Sequence, residues 1–350
     1  MSAVGYYVTQ IPENDRRGQA AVDALLAEAG IRRDGHLDYT CGVYDDEGEL
    51  CATGSCFANT LRCMAVRPQR QGEGLMNLTV SHLSAVQAER GNTHLFLYTK
   101  AASAQFFEGL GFYEIARVPD KLVFMENRRN GFQAWLSAQK RTDTLKERTA
   151  AVVMNANPFT LGHRYLLERA CQQADAVHLF VLSENAGPIP AADRKRLVAL
   201  GTQDMPKVTL HDSGPYIISA ATFPEYFLKG SDEVAAVHAR LDLAVFSRIA
   251  GALGIGLRFV GEEPFSRVTG LYNQVMLEEL PKCGVQCRVI PRLAVGQAPV
   301  SASAVRQAVH DGEISLARDW VPPSTWEYLT GPAGRQAVAA MQRAENVKHH

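Results

Sequence analysis

The run 152–167, VVMNANPFTLGHRYLL, leaves little freedom in what this chain can fold into. A β-branched apolar stretch stops at Asn155-Ala156-Asn157-Pro158, and Thr160-Leu161-Gly162-His163 then opens a helical pattern, so a strand is predicted to feed a helix N-terminus across a tight turn. A helix start turns free backbone N–H groups and the positive end of its dipole toward whatever lies in front of it, which favours an anion. Thr160 and His163 fall on one turn, Gly162 removes a Cβ that would obstruct a close phosphate, and an imidazole can donate to a phosphoryl oxygen. The expectation is a nucleotide-phosphate site at this turn and helix start, with Thr160, Gly162 and His163 on it. A core strand and helix carrying a surface histidine would explain the four letters alone; it explains the strand, turn and helix together less well.

With 350 residues the chain is long enough for two domains. Its net charge of −1 gives no basic surface for nucleic acid or an anionic membrane. Apolar runs such as 177–182 are far too short to span a bilayer, and the N-terminus shows no basic-then-apolar export pattern, so the expected location is the cytoplasm. Seven cysteines, an odd count without a C-x-x-C pair, argue against a disulfide framework. Cys283 and Cys287 could ligate a metal, but buried thiols are the simpler expectation because no second pair has matching spacing.

Four segments are expected: a first domain at 1–130, a linker helix and charged linker at 131–148, a second domain at 149–330, and a C-terminal helix and tail at 331–350. In the first, 42–44 and 49–55 flank an acidic turn and read as a hairpin, and 57–66 reads as a further strand. That strand runs into Arg67-Pro68-Gln69-Arg70-Gln71-Gly72-Glu73-Gly74 and then an amphipathic helix over 75–89. This is a second glycine-rich turn before a helix, a candidate phosphate cradle at Gly72 and Gly74 to which Arg67 and Arg70 add charge. Phe132, Trp135 and Leu136 anchor the linker helix. From 150 onward strands and helices alternate regularly, which predicts a doubly wound parallel sheet.

A nucleotidyl-transfer site also needs charge and donors opposite the phosphates, because the leaving group gains charge as it departs. Val300-Ser301-Ala302-Ser303-Ala304-Val305-Arg306 offers two hydroxyls and a guanidinium at another helix start. Glu262, in Gly261-Glu262-Glu263-Pro264, ends a strand on the side where ligands bind in open α/β sheets. Lys229 is a candidate triphosphate contact, and Asn185, Asp193 and Arg194 form a candidate nucleotide-facing loop.

These motifs carry three resemblances. Thr160-Leu161-Gly162-His163 resembles the T/H-x-G-H signature of the HIGH-type nucleotidyltransferases, and 300–306 resembles their I-S-x-S/T-x-x-R signature with Val300 in place of Ile. Gln69-x-x-Gly72-x-Gly74, with the later Ala104-Gln105-Phe106-Phe107 and Gly111-Phe112, resembles the GCN5-related N-acetyltransferases, whose loop amides bind the pyrophosphate of coenzyme A. Phe107 stands where many of those enzymes carry a tyrosine that protonates the departing thiolate; a phenyl ring cannot do this, which implies a domain that holds a CoA-like arm without acetylating amines. Taken over nearly its whole length, through 154–166, 221–229, 261–266 and 301–306, the chain resembles the citrate lyase ligase family.

That resemblance implies an acetyltransferase-like α+β domain followed by a doubly wound nucleotidyltransferase domain. It also implies ATP and Mg²⁺, acetate as the acid, and a citrate lyase acyl-carrier subunit bearing a CoA-like prosthetic thiol as partner, with no nucleic acid or membrane. His163, Thr160, Arg306 and Ser303 would act at the transferring phosphate and leaving pyrophosphate; Asn155, Asn157, Pro158, Phe159, Gly162, Ser301, Lys229 and Glu262 would bind ATP. Metal ligands stay unassigned. Two alternatives remain at this stage: a bifunctional acetyltransferase/adenylyltransferase of cofactor metabolism, and a non-catalytic CoA and nucleotide sensor.

Overall fold

The computed structural model describes residues 5–139, 148–184, 187–217, 223, 231–262, 267–296 and 298–344. The chain divides into two compact units, 1–132 with 222–237, and 133–221 with 238–350.

The first unit contains β1 (Tyr6–Gln10), α1 (Arg16–Glu28), β2 (Tyr39–Asp45), β3 (Leu50–Phe57), β4 (Thr60–Val66), α2 (Leu75–Glu89), β5 (Phe96–Lys100), α3 (Ala104–Glu108), β6 (Tyr113–Val118) and β7 (Leu122–Glu126). Its sheet runs β1-β2-β3-β4-β5-β7-β6. Every pairing is antiparallel except β4 with β5, which lie parallel and pair only at Thr60↔Phe96 and Leu61↔Leu97. Beyond those residues the two strands part, and β4 continues into the 67–74 turn and α2. Strand order and this parting pair give the acetyltransferase-like α+β architecture that the loop motif implies. The expected strand over 57–66 is β4, which starts at Thr60; β3 runs on to Phe57, and Ala58 in the turn between them takes a left-handed backbone (φ 49) that an apolar pattern does not signal.

The second unit runs from α4 (Gly131–Ala138), which starts at the division, through β8 (Thr149–Met154), α5 (Leu161–Gln173), β9 (Ala176–Val181), α6 (Ala191–Gly201), β10 (Val208–Asp212), α7 (Ser231–Leu253), which belongs to it from 238 onward, β11 (Leu257–Gly261), α8 (Arg267–Glu279) and β12 (Gln286–Ile290). A short hairpin, β13 (Ala294–Val295) and β14 (Ala298–Pro299), precedes α9 (Ala302–His310), α10 (Pro323–Thr330) and α11 (Arg335–Arg343). Its five-stranded sheet is ordered β10-β9-β8-β11-β12, and all its pairings are parallel. The chain builds outward from β8 in one direction and from β11 in the other, so the order reverses between them. In open α/β sheets that reversal point, outside the strands' C-terminal ends, is where ligands bind.

Central parallel strands covered on both faces are uniformly apolar, which is why β8 and β9 were legible as runs rather than alternations. Ala150, Val152 and Met154 of β8 pack with Phe259 of β11, Leu167 and Ala170 of α5, and Val305 and Val309 of α9. Met341 of α11 is fully buried in the same core, so the C-terminal helix is part of the domain's interior. Phe132 and Leu136 of α4 are buried, and the Trp135 ring lies 5.0 Å from that of Tyr216. Among the described residues no helix is long and apolar enough to cross a membrane.

Candidate active site

The turn after β8 is held rigidly from below. Ala156 is fully buried in a left-handed conformation (φ 53), a conformation that costs a non-glycine residue about 1 kcal/mol and persists only where the surroundings impose it. They do so through Arg194, 1% exposed, whose Nη1 donates to both the carbonyl and Oδ1 of Asn155 at 2.6 Å. Its Nε donates to the Ile189 carbonyl at 3.2 Å, and Nη2 donates to the Glu184 carbonyl. Arg194 therefore does not face a nucleotide as expected; its charge is used on loop carbonyls. Asp193, from the same expected loop, accepts from the Tyr328 hydroxyl at 3.0 Å.

Three further expected ATP contacts point inward. Asn157 is 2% exposed, with Oδ1 accepting from the Ile189 N–H at 3.3 Å. Pro158 is buried beside it. Phe159 is fully buried, its ring filling the space a side chain at Gly201 would need, 2.5 Å from an ideal Cβ. The same ring stacks on His163, centroids 5.8 Å apart and planes 18° from parallel. These residues support the site from beneath. Asn155, Gly162 and His163 remain partly exposed at its surface.

Thr160 is the N-cap of α5 and is 1% exposed. Its hydroxyl accepts from the His163 N–H at 3.3 Å, and its own N–H donates to His163 Nδ1 at 3.1 Å, a reciprocal cap. The Thr160 hydroxyl also lies 2.9 Å from Nδ1. A backbone N–H can only donate, so Nδ1 is an acceptor and a neutral ring carries its proton on Nε2. Through these contacts Thr160, expected as a donor to phosphate, holds the His163 ring and its tautomer.

Desolvation, then the charges of Arg292 and Arg306, lower the His163 pKa from 6.5 to about 4. At neutral pH the ring is an uncharged Nε2–H donor. A depressed folded-state pKa means that folding favours the neutral ring by about 3 kcal/mol. This contribution is complete above about pH 6.5 and is lost as pH falls from 6.5 toward 4, below which both states are protonated. The expected pH–rate profile has no limb near 6.5 from this residue; a limb there that disappears in His163→Gln would contradict the assignment.

The second motif lies directly against the first. Ser301 caps α9, its Oγ accepting from the Ala304 N–H at 3.1 Å, and the Ser301 and Ser303 hydroxyls are 3.0 Å apart. A Cβ at Gly162 would sit 2.8 Å from the Val300 carbonyl oxygen. The approach of the two motifs therefore itself requires the glycine. Arg306 is 3% exposed and donates from Nη1 to the Asn157 carbonyl at 2.6 Å, bridging the motifs across 149 residues. Burial lowers its pKa to about 10, so it stays charged at neutral pH. Gly162→Ala is expected to push α5 and α9 apart by tenths of an ångström, cost about 1–3 kcal/mol of stability, and depress nucleotide-dependent turnover out of proportion to the change in melting temperature. Thermal unfolding and turnover on the same preparation check this.

Glu262 follows β11 with an exposed side chain; its N–H donates to the Ile290 carbonyl, and its own carbonyl accepts from Arg292 Nε, both at 2.8 Å. Lys229, Asn185 and 263–266 lie outside the described residues. Arg292, which the sequence did not single out, lies two residues past β12, and its charge acts on His163. No group of three or more His, Cys, Asp or Glu residues among those described could hold a metal. Cys283 is exposed, Cys287 is buried, and both are free thiols.

In the first unit, Gly72 (φ 89) and Gly74 (φ 78) take left-handed backbone in the turn before α2, and nothing lies within 4 Å of a Cβ at either. Gly74 is the N-cap and brings no side chain to the first amides of α2. Gln69 and Arg70 sit in a short turn of 3₁₀ helix. Arg70 does not offer free charge to a phosphate: Nη2 donates to Asp45 Oδ2 at 3.0 Å, and Glu73 lies 4.0 Å from Nη1. The Tyr6 hydroxyl donates to Glu73. What the loop presents is its backbone. Phe107 is 5% exposed, packed edge-on against Phe112 with centroids 6.5 Å apart, and supplies no acid.

Comparison with known proteins agrees with the whole-chain resemblance. The sequence profile of the citrate lyase ligase C-terminal domain matches residues 149–329. A [citrate [pro-3S]-lyase] ligase of Escherichia coli (strain K12) is 36% identical over 343 residues, covering 96% of this chain and 97% of that one. One from Klebsiella pneumoniae is 37% identical over 320 residues, 90% and 93% of the two chains. Among solved structures, the ribosomal-protein-S18-alanine N-acetyltransferase of Escherichia coli covers 35% of this chain and 92% of its own at 19% identity and a TM-score of 0.28. An acyl-CoA N-acyltransferase of Pseudomonas aeruginosa covers 36% and 100% at 14% identity and 0.30. Scores so low leave the strand order as the ground for the first unit's fold. With a profile matched over more than half its length and relatives over a third identical along nearly all of it, the chain belongs to the citrate lyase ligase family.

Proposed function

We propose that this protein is an ATP-dependent acid–thiol ligase that activates acetate as acetyl-AMP. It then passes the acetyl group to the CoA-like prosthetic thiol of a citrate lyase acyl-carrier subunit, releasing AMP and pyrophosphate. The names of its relatives supply citrate lyase as the protein acted on. The observation that carries the adenylation step is the pairing of two capped helix starts, Thr160 on α5 and Ser301 on α9, touching at Gly162 and Val300 beside the sheet's reversal point.

Both helix starts favour negative charge in front of them. An acetate oxygen attacks the α-phosphorus of ATP in line, the bond to the β-phosphate oxygen breaks, and pyrophosphate leaves with the electron pair. His163 donates its Nε2–H to the transferring phosphate, and Thr160 holds the ring in that tautomer. The Ser303 hydroxyl lies at the other helix start, beside Ser301. Arg306 keeps the two motifs in register through the Asn157 carbonyl. No protein nucleophile is needed. Mg²⁺ enters this reading as part of the MgATP substrate. In the second half-reaction the arm's thiolate attacks the acetyl carbonyl and AMP departs. The open amides at Gly74 and the start of α2 suit the arm's pyrophosphate.

The test is isotope exchange between labelled pyrophosphate and ATP in the absence of the carrier. Label should enter ATP only with acetate and Mg²⁺ present; exchange independent of acetate, or none under any condition, rejects acetyl-AMP formation.

A further inference from the structure

We propose that Glu73 is a self-supplied anion that closes the 67–74 loop of the first unit, and that a CoA-like arm must displace its carboxylate to bind there. The inference rests on the reading of this loop as the arm's pyrophosphate site and goes beyond it by naming what regulates entry.

Partners from elsewhere in the unit hold this carboxylate at the loop. Glu73 lies between Gly72 and Gly74, one residue before the N-cap of α2. Tyr6, on the edge strand β1 and 67 residues away, donates its hydroxyl to Glu73 Oε2. Its ring packs against the buried cluster of Val43, Cys51, Ala52 and Leu75, so the hydroxyl is carried by an anchored side chain. The hydrogen bond to Glu73 raises the Tyr6 pKa above its ordinary value, which keeps the hydroxyl a donor. Arg70 Nη1 lies 4.0 Å from the same carboxylate oxygen. Its Nη2 donates to Asp45 Oδ2 at 3.0 Å, and Asp45 is itself fixed, 1% exposed and accepting from the Glu47 and Glu49 N–H groups.

The chain thus matches both loop arginines with its own acids: Arg67 Nη1 lies 2.8 Å from Glu49 Oε1, and Arg70 faces Asp45 and Glu73. A pyrophosphate that approaches the first amides of α2 meets a carboxylate already there, and like charge opposes it until that carboxylate leaves. Leaving is feasible. The Glu73 side chain is 38% exposed, and ion pairs of that kind hold weakly. Glycines on both sides, each in left-handed backbone, leave the peptide units around Glu73 free to re-orient. Departure also releases Arg70 Nη1 for a phosphate oxygen. Opening costs the same for any arm, but a free coenzyme A meets it with its own contacts alone. A carrier brings a protein surface besides its arm, so the closed loop keeps the free cofactor out.

The experiment measures binding of coenzyme A by calorimetry to the full-length protein and to its Glu73→Gln and Tyr6→Phe variants, with melting temperature as the control for folding. Glutamine keeps the shape and can still accept from Tyr6, but carries no charge. Phenylalanine leaves the loop sequence and its charge intact and removes the tether. Glu73→Gln is expected to bind coenzyme A about tenfold more tightly than wild type, and Tyr6→Phe about threefold more tightly, the gains that follow when the open loop is a minor population. Binding that appears only in the variants supports the proposal as well. Affinity within about twofold of wild type in Glu73→Gln would overturn it. So would a gain in Glu73→Gln with Tyr6→Phe at wild-type affinity, since the carboxylate then acts through its field and closes nothing. If coenzyme A at on the order of 1 mM binds to none of the three, the reading of the loop as the arm's site falls, and this inference with it. Equal, measurable binding by all three removes the inference alone. Should one variant not fold, the other decides by its own expected gain: tighter binding supports the closed loop, and wild-type affinity rejects it.

Discussion

Replacing His163 with alanine should lower acetate-dependent pyrophosphate–ATP exchange by on the order of a hundred-fold or more, because one oriented donor to the transferring phosphate is lost from a partly desolvated site. The cost to the fold should be much smaller. His163 also accepts from the Thr160 N–H at 3.1 Å, so the variant forfeits half of a reciprocal cap, worth about 1 kcal/mol and a few degrees in melting temperature. His163→Gln separates the two contributions: its Nε2 amide can reach the place of the ring's Nε2–H, so part of the exchange rate should return even without the imidazole. A loss below about threefold in the alanine variant would remove His163 from the reacting centre. The result also bears on Thr160, since Thr160→Val deletes the hydroxyl that accepts from the His163 N–H and should reduce turnover through the ring's orientation.

Gly74→Asp is expected to abolish thioester formation on the carrier while leaving exchange at the wild-type level. An aspartate at this position would be an N-cap, and its carboxylate would accept from the first amides of α2, which no side chain now caps. The protein would thereby place its own anion where the arm's pyrophosphate is proposed to bind. Nothing lies within 4 Å of a Cβ built at Gly74, so the side chain has room; its φ of 78 strains any side chain there, Asp less than most. Both half-reactions should be measured on one preparation, by exchange and by acetylation of the carrier thiol. Loss of both, or of neither, would count against a division of labour between the units.

Much of the architecture was legible because its signals are local. The parallel strands of the second unit are short apolar runs, and the helix starts at Thr160 and Ser301 carry capping residues, so period and caps mark these elements within a few positions. The 67–74 turn was legible for the same reason, since Gly72 and Gly74 do take left-handed backbone. The place of the turn at Ala58 was not, because alanine in that conformation is held there by its neighbours and not by its own preference, so the break between β3 and β4 reads a few residues early.

The chain by itself determined where strands give way to helix starts, and so which segments could gather at a phosphate. Only the tertiary structure decided which of their polar groups remain to meet one. Arg306 is committed to Asn157, 149 residues away, Arg194 to Asn155 across 39, and Arg70 to Asp45 across 25. A guanidinium reads the same in sequence whether it faces a ligand or a carbonyl, because the partner that satisfies it comes from a different part of the chain. Burial follows the same logic: Phe159 lies in a loop motif yet fills the space beside Gly201, because the helix that carries Gly201 comes from a later part of the chain.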